Sequence, residues 1–264
     1  MRAIDNLIYD RIHGEWWSDD SFMALLRTGV NPPRFDYFRR ALLSRFGPTV
    51  GAVSVLDVGC GGGLLTDSFA SLGCRVTGVD RSLPTVAAAR AHATEQGHEV
   101  RYLQGDAAEL PFDDSSFDVI CCCDVLEHVD DFDRVVGEIA RVLKPGGVFF
   151  FDTINRTWRS KLLAIRLAQD WAPTRLIPRD VHVWEKFIRP DELAASLLRH
   201  GLPVQAFAGL TPRSLPAAAA ALLRLKVGLI SFGAAGDKLA LGPSHDLSLS
   251  YMGSAARDVA AALH

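Results

Sequence analysis

The chain has 264 residues, 48% of them apolar, enough to bury a sizeable core. Its 28 Lys and Arg against 31 Asp and Glu leave a net charge of -3, so nothing global draws it to DNA or RNA and no nucleic-acid partner is expected. The five cysteines, Cys60, Cys74, Cys121, Cys122 and Cys123, lack the separated pairs that tetrahedral zinc uses and read as reduced thiols. Asp5, Asp10 and Arg11 interrupt any apolar leader, and no segment has the ~18 apolar residues needed to span a bilayer. The expected location is cytoplasmic.

Residues 1–50 read as a helical cap, with a helix over FDYFRRALLSRF between Asn31-Pro32-Pro33 and Gly47-Pro48. Residues 51–152 alternate apolar runs with helical periodicity. VSVLDV, RVTGVD, VRYLQGD, FDVICCC and VFFFDTI read as strands, while LLTDSFASL, PTVAAARAHATEQ and FDRVVGEIARVLK read as helices. Strands so uniformly apolar are buried on both faces, as in a doubly wound α/β sheet. Residues 153–187 form a Trp- and basic-rich lid insertion. In 188–264, Pro190-Asp191-Glu192 opens a helix, an Ala/Leu-rich segment covers 217–232, and LSLSYMG is a last strand. With no repeat or low-complexity linker, 1–264 reads as one elaborated domain.

The run Leu56-Asp57-Val58-Gly59-Cys60-Gly61-Gly62-Gly63 turns a buried strand tightly into a helix, and its glycines let the backbone approach a ligand. Asp80 ends the next strand 21 positions after Gly59, the spacing of an acid that accepts hydrogen bonds from a ribose diol. That spacing suits a dinucleotide and S-adenosylmethionine equally. Asp57 favours the latter, because a carboxylate there suits an ammonium group and repels a pyrophosphate; a bond to its own turn is the other reading. Asp106 follows the third strand and suits an adenine amino group, or caps a helix. Arg81 and Ala107, beside these two acids, join the expected cofactor-binding set.

LDVGCGGG, GVD, GDAAELPF, FDVI and LKPGG, in this order, resemble the class I S-adenosylmethionine-dependent methyltransferases. Asn31-Pro32-Pro33-Arg34, the run Cys123 to Val129 (CDVLEHV), Thr153 to Thr157 (TINRT), His182 to Ile188 (HVWEKFI) and Leu249 to Met252 (LSYM) narrow the likeness. They resemble the ubiquinone-biosynthesis O-methyltransferase family, which methylates polyprenyl catechols. The resemblance implies a Rossmann-like doubly wound fold with a seven-stranded, mostly parallel sheet. It also implies that Arg34 reaches the cofactor carboxylate, Gly59 and Asp80 hold its backbone side and ribose, and Cys123 contributes its main chain near the adenosine. Three departures fall on the acceptor side or lid: Pro33 in place of Leu, Asp124 in place of Glu, and a longer stretch at 213–232.

A methyl sulfonium is already electrophilic, so the enzyme must align the acceptor, exclude water and activate a phenolic oxygen. Asp124, Glu127 and His128 fall beyond the fourth strand, where ligands bind in such sheets. His128 suits a general base near pKa ~6.5, with His182 a second candidate. Alternatively Asp124, Glu127 and His128 hold a magnesium ion, as the resemblance allows, or merely cap the next turn. TWRSKLLAIRLAQDW, residues 157–171, suits either a peripheral membrane contact or an amphipathic lid. The expected partner is a small-molecule acceptor. Methylation of oxygen, nitrogen or carbon in a specialised metabolite is the competing enzymatic reading; an NAD-dependent oxidoreductase is opposed by Asp57, and an inert cofactor binder by the polar cluster at 124–128.

Overall fold

The computed structural model describes residues 4–258, so both ends of the expected 1–264 domain lie outside the described residues. Eight strands form one sheet in the order β3-β2-β1-β4-β5-β8-β6-β7. They are β1 (Ser54–Val58), β2 (Arg75–Asp80), β3 (Arg101–Gln104), β4 (Phe117–Cys123), β5 (Leu143–Ile154), β6 (Val204–Pro212), β7 (Leu241–Ser244) and β8 (Ser250–Ala256). β1 to β5 run parallel, whereas β8 is antiparallel to β5 and β6, and β7 to β6. The eighth strand corrects the expected seven: β7 is a four-residue edge strand, and its Gly242-Pro243 breaks any apolar alternation.

Side chains alternate across the sheet with period two. In β5, Phe149 and Phe151 enter one core layer with Leu56, Ile120 and Val135, while Phe150 enters the other with Val55, Val119, Phe38 and Phe69. The first layer is covered by α5 (Phe132–Val142) and by α7 (Pro190–Arg199), through Ile139, Leu193 and Leu197; the second is covered by α2 (Asn31–Phe46) and α3 (Leu64–Ser71). The three successive cysteines of β4 are buried strand residues, and burial pushes each thiol well above its usual range, as the apolar pattern implies for inert thiols.

Strand order reverses between β1 and β4, and at the carboxyl ends of such a reversal lies the crevice where these sheets bind their ligands. Three cap elements are added to the sheet and its covering helices. The N-terminal segment carries α1 (Ile8–Arg11), which packs with α4 (Leu83–Glu95), the helix capped by Ser82. The insertion forms α6 (Trp158–Ser160), capped by Thr157 and continued as a wider π-type turn over Lys161–Asp170. The long Ala/Leu-rich stretch becomes α8 (Leu215–Lys226), followed by α9 (Phe232–Leu239), which docks on the N-terminal cap where Thr28 Oγ1 donates to the carbonyl of Gly233 at 2.8 Å. No described helix is long and apolar enough to cross a membrane.

Candidate active site

The glycine loop leaves β1 at Gly59, whose φ of +69° favours glycine; a Cβ there would stand 2.2 Å from Val125. The N–H groups of Gly59 and Cys60 both donate to the Val79 carbonyl, at 2.7 and 3.0 Å. Asp80 braces the loop: its Oδ2 accepts from Gly61 N and its Oδ1 from Ser82 N, each at 2.9 Å. The expected ribose acceptor is thus bonded to backbone through both oxygens, and a diol would use their remaining lone pairs. At Gly61 the backbone is not open to solvent, because a Cβ would meet the Trp16 indole at 2.4 Å.

Asp57 is buried at the end of β1 and bonded internally, accepting from Thr66 Oγ1 at 2.6 Å and Cys121 Sγ at 3.2 Å. Burial pushes its carboxyl up to about 6. Asp57 thus bonds a helix residue, Thr66 of α3, and a strand residue, Cys121 of β4, neither of them in its own turn. Asp106 is exposed and accepts from Ala108 N at 2.9 Å, closing its own turn rather than capping a helix. Ala107 packs beside the core. Arg81 is exposed, with its carbonyl held by Gln104 Nε2 at 3.1 Å. Cys123 ends β4 opposite Asp152 of β5.

Just beyond Cys123 the chain turns at Asp124, whose φ is +57°. Arg34, buried on α2, reaches across to Asp124 at 2.6 Å and to Asp152 at 3.2 Å, and also bonds Asn31. The guanidinium expected at the cofactor carboxylate is therefore already neutralising acids of the protein, although its buried Nε has no partner among the described residues. Glu127 is buried and accepts from Thr153 Oγ1 at 2.7 Å. Crowded carboxyls cannot all ionise without water. Arg34 keeps Asp124 below its ordinary range, while burial raises Asp152 and Glu127, the latter to about 8.

This arrangement corrects the expected magnesium set. Asp124 is bound by Arg34, Glu127 is favoured in its protonated form and turned to Thr153, and His128 is an uncommon magnesium ligand. Among the described residues no group of three His, Cys, Asp or Glu side chains is arranged to hold a metal.

His128 and His182 do come together, with ring centroids 5.2 Å apart. Gln169, fully buried in the insertion, fixes His182 as a neighbouring strand would: its Oε1 accepts from His182 N at 2.8 Å and its Nε2 donates to His182 O at 3.0 Å. Burial and the facing imidazole lower His128 to about 3, and burial lowers His182 to about 4. Both rings are consequently neutral at physiological pH, and the expectation of titration near ~6.5 is corrected. The N-terminal segment lies over them: Tyr9 meets His128 edge-on at 5.8 Å and stacks with Trp16 at 6.0 Å. Trp17 Nε1 donates to the Gly62 carbonyl at 2.9 Å. Two surface clefts, about 710 and 570 Å³, lie elsewhere, the first at the amino ends of the strands by Ser54, Arg75 and Lys144, the second by Glu138 and His200.

Sequence reasoning missed Asp152, Tyr9, Trp16, Trp17 and Gln169. Three carried a signal: Asp152 is the lone charge in the apolar run VFFFDTI, and Trp16 and Trp17 form a doublet in a polar stretch. Tyr9 and Gln169 carried none.

Residues 56–151 match the family described as a methyltransferase domain. With the glycine loop, its bracing acid and the cluster at the strand-order reversal, the match makes the chain an S-adenosylmethionine-dependent methyltransferase. A ubiquinone biosynthesis O-methyltransferase from Agrobacterium fabrum is 37% identical over 74% of this chain and 80% of its own length. One from Hahella chejuensis is 39% identical over 77% and 82%. The chain belongs to the ubiquinone biosynthesis O-methyltransferase family. Among solved structures, magnesium protoporphyrin IX methyltransferase from Synechocystis PCC 6803 with bound SAH shares the fold at TM-score 0.57 and 18% identity, covering 87% of this chain and 84% of that one. A [4+2]-cyclase shares it at TM-score 0.57 and 23% identity, over 85% and 81%. A fold common to a methyltransferase and a cyclase does not fix the reaction; the residues of the site must.

Proposed function

We propose that the enzyme transfers the methyl group of S-adenosylmethionine to the oxygen of a phenol- or catechol-like small molecule, an acceptor of the quinone-precursor type. The observation that carries this reading is the neutral His128–His182 pair, bordered by the Tyr9 and Phe187 rings at the carboxyl end of the sheet. An apolar wall with neutral imidazoles suits an uncharged aromatic ring whose hydroxyl must lose a proton. The relatives' name points to the same chemistry.

S-adenosylmethionine supplies an electrophilic methyl group, and the chain's residues hold and aim the reactants. Asp80 would accept from the ribose, the backbone at Gly59 and Cys123 would line the nucleoside side, Asp106 would meet the adenine amino group, and Arg34, whose Nε has no partner among the described residues, would reach the cofactor carboxylate. With both reactants bound, His128 would accept the phenolic proton as the oxygen is methylated. Because burial makes its cation acidic, His128 then returns the proton to solvent.

Trp158 and Trp171, 70% and 55% exposed, lie with Leu162, Leu163, Arg159 and Lys161 on the outside of the insertion rather than over the histidines. This supports peripheral contact of 157–171 with a lipid surface, from which an apolar acceptor is drawn. Co-sedimentation with anionic vesicles, lost in Trp158→Ser with Trp171→Ser, tests the contact.

The test of function is turnover of the purified enzyme with S-adenosylmethionine and a panel of catechols, prenylated phenols, amines and carbon nucleophiles, read by product mass. O-methylated phenols are expected; methylation confined to nitrogen or carbon acceptors would overturn the assignment.

A further inference from the structure

We propose that Tyr9 is a further catalytic residue of methyl transfer, its hydroxyl donating a hydrogen bond to the acceptor oxygen opposite His128. The inference rests on the O-methyl transfer reading above.

The N-terminal segment is fastened on both sides of the crevice. On the cofactor side, Trp17 Nε1 bonds the Gly62 carbonyl at 2.9 Å, and Thr85 Oγ1 of α4 donates to the Tyr9 carbonyl at 3.0 Å. On the acceptor side, Asn6 Nδ2 donates to the His128 carbonyl at 3.1 Å, and Asp5 N donates to the Asp180 carbonyl at 2.8 Å. Between these anchors the Tyr9 ring spans from Trp16, which covers Gly61 and Gly62, to the edge of His128. The segment thus carries a phenol to the gap between the cofactor loop and the imidazole pair, where methyl and acceptor must meet.

Packing alone does not call for a hydroxyl there. The Tyr9 side chain is held through its ring, and its Oη has no hydrogen bond to the described residues. The residue is half-buried, so an acceptor that covers its hydroxyl has to supply the hydrogen-bond partner. Burial, with Asp124, Glu127 and Asp80 nearby, also holds the hydroxyl above its ordinary range, so it stays a donor and leaves proton removal to another group.

The experiment compares the full-length enzyme with Tyr9→Phe and Tyr9→Leu, using S-adenosylmethionine, a catechol found to be turned over by the wild type, and SAH as the binding probe. Tyr9→Phe loses no hydrogen bond to the described residues, so its thermal midpoint is expected close to that of the wild type. It should lower kcat/KM for the acceptor about tenfold or more while SAH affinity stays within about twofold, as expected for lost alignment. Tyr9→Leu, which also removes the ring from Trp16, should weaken SAH binding as well. Wild-type kcat and acceptor KM in Tyr9→Phe would overturn the proposal and leave Tyr9 as packing. If the wild type methylates no oxygen acceptor, the functional reading fails, and the Tyr9 proposal falls with it.

Discussion

Arg34 on α2 lies 2.6 Å from Asp124 and 3.2 Å from Asp152, so one buried guanidinium joins the cap to the ends of β4 and β5. The pair with Asp124 is the charged one, because Asp152 is held toward its neutral form by burial. Arg34→Met should therefore strand a carboxylate in the crevice. Removing one partner of a buried pair costs about 3–5 kcal/mol, and the lower end applies because the Asp124 side chain is 31% accessible. Urea denaturation without ligand measures this. A loss well under ~1 kcal/mol would mean that the pair behaves as a surface bridge.

The buried acids and imidazoles oppose one another in their effect on stability. Glu127, raised from 4.5 to about 8, and Asp57, raised from 3.8 to about 6, keep protons in the folded chain that the unfolded chain releases. Their contribution is complete below the unfolded values and is lost as pH climbs through about 6 and then about 8. His128 and His182, lowered from 6.5 to about 3 and about 4, do the reverse: their contribution is complete above 6.5 and falls away as pH drops toward 4 and 3. The urea midpoint should peak in mildly acidic solution and decline on both sides. Glu127→Gln keeps an oxygen for Thr153 but has no proton to lose, so it should flatten the alkaline decline; an unaltered decline would place the titrating group elsewhere.

Features encoded within a few residues were legible from the chain. The glycine turn, Asp80 at its spacing and the period-two burial of VFFFDTI follow from local sterics and alternation, and the structure has that turn, its bracing by Asp80 and that alternation. Features made by distant residues meeting were not. Gln169 reads as one polar residue in an amphipathic stretch, and only the fold turns its amide onto the backbone of His182. The environment of His128 was misread for the same reason: an imidazole's ordinary titration says nothing of a second imidazole 5.2 Å away. β7 escaped notice because edge pairing needs backbone hydrogen bonds rather than an apolar face.

Neutral histidines make a claim about the pH–rate profile. With His128 lowered to about 3 and His182 to about 4, kcat should show no inflection near 6.5 from either ring. His128→Ala should reduce kcat by about 10² or more, the usual size of general-base catalysis, with SAH affinity nearly unchanged. An acidic limb near 6.5 that disappears in His128→Ala would show that bound substrates restore the imidazole's ordinary basicity.

Asp80 and Gly59 support the same loop by different physics, so their variants should fail differently. Asp80→Ala removes the acceptor of the Gly61 and Ser82 N–H groups along with any ribose contact. It should weaken SAH binding by about 1–3 kcal/mol per lost buried bond and lower the thermal midpoint as well. Asp80→Asn retains one carbonyl oxygen and should fall between Asp80→Ala and wild type. Gly59→Ala touches no ligand-facing carboxylate, but its Cβ would stand 2.2 Å from Val125 on a backbone at φ +69°. That clash pushes Val125 and the following 126–128 turn, which carries Glu127 and His128. Gly59→Ala should therefore lose turnover even at saturating cofactor, whereas Asp80→Asn should recover turnover as cofactor is raised. If excess cofactor rescues both variants equally, the loop and the histidine turn are not mechanically joined through Val125.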